Sequence, residues 1–335
     1  MNSDNQTSSP LLIKFFRYFL IARFSFLVAL QMVNTAIAWY LYELTHNKLS
    51  LGLLGLSEVI PAISFALYAG HIIDKSDKRT LLFRNMCFYL AAIVLLGFIV
   101  TAYAKKILGI TFTEWFIYAL IFFTGIFRAF TGPTQQSMIA QLVPKEKLVP
   151  AISWSSTAWQ SASVIGPIVA GILIAKAGMV ITFCMAIVIV IIAAMLIYSI
   201  EKLPVSNMND RQGTWESVKE GIGYVWATKP LLNALSLDLF AVFFGGATAL
   251  LPVYAKDILH VDATGMGVLR AAQGIGSILM LLWITRHPLK SNQGKTMLQC
   301  VAWFGIMMIV FAISKNFWLS FIALFLDRKS TRLNS

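Results

Sequence analysis

The chain has 335 residues, 58% hydrophobic and 13% charged, with a mean hydropathy of +0.74. Soluble domains carry about 25% charged residues, so a water-exposed globule is excluded and most of this surface has to meet hydrocarbon. The net charge of +12 is spread over short loops between apolar runs; nucleic acid would need a continuous basic stripe, so anionic lipid and membrane orientation account for it better.

Apolar runs of spanning length recur at about 20–43, 51–73, 82–104, 115–137, 151–175, 179–200, 232–255, 264–285 and 297–314. At ~1.5 Å rise per residue, about 20 apolar residues cross a hydrocarbon core of ~30 Å. Backbone polar groups in lipid must be satisfied within the segment, which predicts helices; a closed barrel would show short alternating segments instead. The expected class is an all-α polytopic membrane protein. The first ten residues are polar with no basic leader, and the first run passes Ala38 without a cleavage site, so it reads as an uncleaved first span. With the N-terminus in the cytoplasm, sixteen lysines and arginines fall on the inner side; six, Lys48, Lys105, Lys106, Lys176, Lys256 and Lys315, fall outside. That asymmetry sets the expected orientation.

The longest inner segment, 201–230, separates a six-helix group at 1–200 from a second group at 231–326. In it Trp215, Val218, Ile222, Val225 and Trp226 recur at helical spacing, as in an amphipathic helix lying on the membrane surface, although a simple tether fits as well. Sliding the sequence by 212 positions sets Tyr42 on Tyr254, Gly55 on Gly267 and Glu58 on Arg270, a sparse sign of two related halves. A tenth run, Phe317 to Leu326, has ten residues, enough for about half the core. The polar stretch 327–335 after it reads as a non-native tail, and the chain as incomplete, unstable or inactive if made as written. Cys87, Cys184 and Cys300 stand alone in apolar segments, with neither a disulfide framework nor a zinc site indicated.

Three stretches stand out between and within the spans. Gly70-His-Ile-Ile-Asp74-Lys75-Ser-Asp77-Lys78-Arg79 puts a knot of charge at the end of an apolar helix. It has to stay in water while its flanking helices stay in lipid, so it is either a moving part or a topogenic loop that fixes orientation. Arg128-Ala-Phe-Thr-Gly132 places a guanidinium in a span, where insertion costs at least ~2.5–3.5 kcal/mol and partners or water are required. In Gly166-Pro167-Ile-Val-Ala170-Gly171 the proline removes a backbone hydrogen bond and the small residues allow close helix contact.

Taken in order, these stretches resemble the major facilitator superfamily of transporters. The first is similar to the loop between its second and third helices, G-x-x-x-D-[RK]-x-G-[RK]-[RK], with Asp77 where the pattern has glycine. The second is similar to its arginine motif, and the third to the glycine-proline motif of antiporter members, although Ala158 to Val164 lacks the glycines found upstream in that group. Trp39-Tyr-Leu-Tyr42-Glu43-Leu-Thr45 with Gly52, Gly55 and Pro61, and Leu235-Ser-Leu-Asp238-Leu-Phe240 through Leu250-Leu-Pro252, resemble the bacterial branch of enterobactin exporters and secretion effectors. The resemblance covers about residues 15–326. It implies a two-bundle fold of twelve helices, of which about nine full spans and part of a tenth are present. It also implies alternating access, a place in the bacterial inner membrane, and a cytoplasmic latch formed by Asp74 against the eleventh helix, for which attraction between a carboxylate and a helix N-terminus is the physical reason. Gly70, Lys75, Asp77, Lys78 and Arg79 would gate with it, as would Gly166, Pro167 and Gly171.

Ionisable and amide side chains inside spans are the best pointers to chemistry: Gln31, Asn34, Glu58, Arg128, Asp238 and Arg270. Glu58 or Asp238 is suited to carry a proton, because partial burial raises a carboxyl pKa; Arg128 or Arg270 would stabilise the charged form or hold an anionic substrate. Static ion pairing is the plainer alternative. The expected function is proton-coupled export of a small amphipathic molecule, drug-like or a siderophore, by a monomer without cofactor. Proton-coupled uptake and a non-transporting receptor remain open. No H-E-x-x-H, paired-carboxylate or nucleophile–base arrangement is visible, so no enzyme is expected.

Overall fold

A computed structural model describes residues 9–202, 245–286 and 293–331, with Gly223, 226–229, Leu232 and Ser236 between them. The expected surface helix within 201–230, Asp238 and most of the run 232–255 lie outside the described residues. Among the described residues every regular element is helical.

The long helices are α1 (Lys14–Thr45), α2 (Lys48–Lys75), α3 (Lys78–Ile99), α4 (Ala102–Leu142), α5 (Leu148–Ala177), α6 (Met179–Tyr198), α7 (Ala263–Arg286), α8 (Gln293–Ile313) and α9 (Phe317–Thr331). Seven stretches among the described residues, one in each of α1 to α7, are long and apolar enough to cross a membrane, and Leu298–Ile313 and Phe317–Asp327 are shorter apolar helices. Between 245 and 258 the backbone passes through a 3-10 segment, a single α turn and a π turn.

Local chemistry explains where the helices stop. α1 ends at His46, whose backbone turns left-handed at φ 49° while its N–H still donates to the Tyr42 carbonyl. Asn47 then accepts from the Leu49 N–H at 2.9 Å and starts α2, as short polar side chains do at helix N-termini. The third apolar run, expected to reach 104, ends at Ile99: the Val100 N–H folds back onto the Leu96 and Phe98 carbonyls. Hydrophobicity continues through this turn, so the apolar pattern did not register it. The helix beyond begins at Ala102 rather than near 115, but Gly109 at φ 70° and ψ 169° breaks it into a short first piece and the spanning piece. Pro61, Pro133 and Pro167 lie inside α2, α4 and α5, each removing one backbone bond from its ladder.

By contacts the chain forms two compact units: residues 1–29, 53–159 and 183–227, and residues 30–52, 160–182 and 228–335. In the first unit α3 packs along α4. A small core gathers Ala69, Ile73, Leu81 and Ala129, with Phe65 and Phe130 against it. In the second unit α9 packs against α7 and α8, and the core joins Trp39 with Leu251, Met266, Leu269, Phe311 and Leu324. The helix α6 exposes Ile181, Met185, Val188, Ile192 and Met195, a row at three- and four-residue spacing. A helix apolar on its exposed side as well as its packed side suits lipid.

Candidate functional site

The α2–α3 loop is held by its own charges. Lys78 is buried, and its ammonium donates to the Ile73 carbonyl and, at 3.1 Å, to that of Ser76. It thereby satisfies carbonyls left open at the end of α2. Asp77 accepts from the Arg79 and Thr80 backbone N–H groups, both at 3.3 Å, and from the Thr80 hydroxyl. The residue that departs from the superfamily pattern is therefore the N-cap of α3. Arg79 donates to the Tyr198 carbonyl at the end of α6, its guanidinium 4.8 Å from the centre of that ring. Gly70 has open space where a Cβ would stand, and Lys75 is exposed. The Asp74 side chain lies outside what is described.

Of the residues expected in the pathway, the structure brings Glu58 and Arg128 together. The guanidinium donates to the Glu58 carboxylate, with side-chain exposures of 46% for Arg128 and 26% for Glu58. The pair is possible because α2 and α4 approach closely there: a Cβ on Gly125 would lie 2.4 Å from the Glu58 carbonyl oxygen and 2.7 Å from Pro61. Gln31 and Asn34 on α1 and Arg270 on α7 are half-buried in the second unit. Asp238 lies outside the described residues. The repeat-related residues make different contacts: Tyr42 donates to the Asp257 carboxylate, whereas Tyr254 points its hydroxyl at the final carbonyls of α8 and stacks on Phe311 at 4.3 Å.

The glycine-proline stretch lies in a tight seam between α5 and α7. A Cβ on Gly171 would meet the Ala263 carbonyl oxygen at 2.5 Å, and one on Gly267 the Pro167 carbonyl oxygen at 2.4 Å. Two turns on, a Cβ on Gly274 would strike Val164 and Ser163 at 2.6 and 2.7 Å. The contacts step backwards along α5 as they step forwards along α7, so the two helices run antiparallel. Only glycine lets the two backbones lie this close.

Sequence reasoning missed one group. Arg23, counted there only as an inner flanking charge, is 7% exposed, and its guanidinium donates to the Gln135 side-chain oxygen at 2.6 Å. Asn85 and Tyr89 on α3 are also buried, and the Tyr89 ring meets Phe26 of α1 edge-on at 5.2 Å. The available signal was an arginine followed by a long apolar run, which hydropathy treats as a boundary. No group of three His, Cys, Asp or Glu side chains able to hold a metal occurs among the described residues.

The sequence and the fold both have counterparts among known proteins. The model of the transmembrane secretion effector family matches residues 5–329. The chain belongs to that family. It is 24% identical over 271 residues to the staphyloferrin A transporter of Staphylococcus aureus (strain NCTC 8325 / PS 47), covering 79% of this chain and 66% of that protein. It therefore spans about two thirds of that relative's length. Among solved structures it is similar to a bacterial homologue of the human lysosomal transporter Spinster in an inward-facing, unoccupied conformation. There the TM-score is 0.68 at 14% identity, over 96% of this chain and 74% of the other. An inward-facing bacterial homologue of the iron transporter ferroportin also gives 0.68, at 17% identity over 96% and 81%. At such identities the structures establish the fold, which is that of major facilitator transporters, and the family and fold are not those of enzymes.

Proposed function

We propose that this member of the secretion effector family is a proton-coupled secondary transporter that exports a small amphipathic solute, a drug-like compound or a siderophore, by alternating access. The observation that carries the reading is the Glu58–Arg128 pair within two spans. Adding a proton to that carboxylate removes the charge that holds the guanidinium and frees the arginine for a solute. Because both groups are partly exposed, a proton and a solute can compete for them. The named function of the staphylococcal relative supports the siderophore class.

On this reading the protein is a monomer of the bacterial cytoplasmic membrane with its N-terminus inside. Residues 1–200 and 231–326 belong to two bundles joined by 201–230. The loop from Gly70 to Arg79 is the cytoplasmic gate, with Asp74 as its latch, and the stretch with Gly166, Pro167 and Gly171 is a pivot.

The test uses inverted and right-side-out vesicles with a fluorescent amphipathic dye added outside. Proton-coupled export, an antiport, predicts dye accumulation in vesicles with an acid lumen, while accumulation that requires an acid exterior would establish proton-coupled uptake instead. Glu58→Gln, which mimics the protonated carboxyl, should abolish gradient-driven accumulation and retain dye exchange. Unchanged gradient-driven transport in that variant would remove Glu58 as the proton carrier.

A further inference from the structure

The first compact unit contains a buried cation for which the described residues supply no carboxylate. Arg23 is 7% exposed, and its one described partner, Gln135 at 2.6 Å, is neutral. Its Nε finds no acceptor among the described residues. Among the other buried side-chain atoms without a hydrogen-bond partner are three on the helices beside it: the Gln135 amide nitrogen, the Asn85 amide nitrogen and the Tyr89 hydroxyl. These residues are 3%, 5% and 4% exposed respectively. All four orphaned atoms can donate a proton.

The helices bring Arg23, Asn85 and Gln135 to a common level, with the Tyr89 backbone one turn further along α3. The Phe26 and Tyr89 rings touch at 5.2 Å, which fixes the register of α1 against α3. As spans separated by one crossing, α1 and α3 traverse a bilayer in the same direction. Arg23 lies three residues before Phe26 and Asn85 four before Tyr89, offsets of about 4.5 and 6 Å at the helical rise. Arg23 and Asn85 thus lie at nearly the same depth, and Gln135 of α4 is bonded to Arg23. The nearby charges are already committed to each other: Glu58 pairs with Arg128, and both act electrostatically on Tyr89.

We propose that Arg23, Asn85, Tyr89 and Gln135 form an anion-binding site that accepts a carboxylate. A carboxylate has two oxygens and about four lone-pair directions, matching a guanidinium and several donors. A buried water could accept from one or two of these groups, but it would leave the arginine's charge uncompensated, and an unpaired charge is the costlier deficit in a low-dielectric interior. That the carboxylate belongs to a transported solute rests on the transport reading above. The binding site itself does not.

The test places the full chain in nanodiscs of zwitterionic phosphatidylcholine, so that no lipid carboxylate competes. It then titrates benzoate against its neutral isostere benzamide, reading thermal unfolding and tryptophan fluorescence. Benzoate should bind and raise Tm, and benzamide should not. Arg23→Gln should weaken benzoate binding at least tenfold. Gln135→Glu supplies an internal carboxylate: it should raise the Tm of the ligand-free protein and eliminate the response to benzoate. Equal responses to benzoate and benzamide, or none to either, would overturn the site. So would a Gln135→Glu protein that is less stable yet still responds to benzoate. Dye flux measured on the same preparation separates the two readings: flux without benzoate binding removes the site alone, and benzoate binding without flux removes the transport reading alone.

Discussion

Asp77 shows how one side chain changes role between pattern and structure. By sequence it is a departure from the superfamily loop, at a position where glycine is usual; in the fold it caps α3 through two backbone N–H groups. Both residues are compatible with a helix start, since glycine caps tolerably and alanine does not. Asp77→Gly should therefore cost a few tenths of a kcal/mol and Asp77→Ala about 1 kcal/mol, measured as the shift in unfolding midpoint in nanodiscs. Lys78 was likewise legible as a loop charge, but its burial and its bonds to the end of α2 were not. Charge is a property of the residue, whereas burial depends on what neighbours it. The same distinction separates Arg23 from Lys14 and Arg17, which precede it on α1: all three read as flanking cations, and of the three Arg23 is the one that is buried.

At the scale of elements, the long helices among the described residues follow closely from hydropathy, because a span's length and apolar content lie in contiguous residues. The boundaries that moved are those set by hydrogen bonds: the turn after Ile99 and the break at Gly109 are both apolar in composition. The glycines divide in a way that spacing alone could not predict. Gly171, Gly267 and Gly274 lie in the α5–α7 seam, whereas Gly55, the repeat partner of Gly267, has open space where a Cβ would stand. Gly267→Leu should force the seam apart and destabilise by more than the ~1–3 kcal/mol usual for an overpacked core, because backbone atoms cannot rotate out of the way. Gly55→Ala should be neutral or stabilising by up to about 1 kcal/mol, since alanine lowers the entropy cost of the helix. Unfolding midpoints of the two variants in one lipid check both expectations, and equal midpoints would contradict the seam.

For the whole molecule, family and fold agree with the order of motifs along the chain. Orientation is tested by single cysteines in a background lacking Cys87, Cys184 and Cys300. At Lys75 and Lys202 they should react with a membrane-impermeant maleimide from one side, and at Lys176 from the other. Labelling of Lys75→Cys and Lys202→Cys from opposite sides would contradict the proposed topology. That this chain crosses lipid as helices was already legible in its residues, because transfer from water to hydrocarbon depends on local composition and on length. Which side chains meet was settled only by the packing of the helices. Glu58 finds Arg128 at a separation of 70 residues, and Arg23 finds Gln135 at 112. Such pairs depend on the rotation and depth of each helix against its neighbours, and in a nearly uniform apolar helix no periodic pattern specifies either.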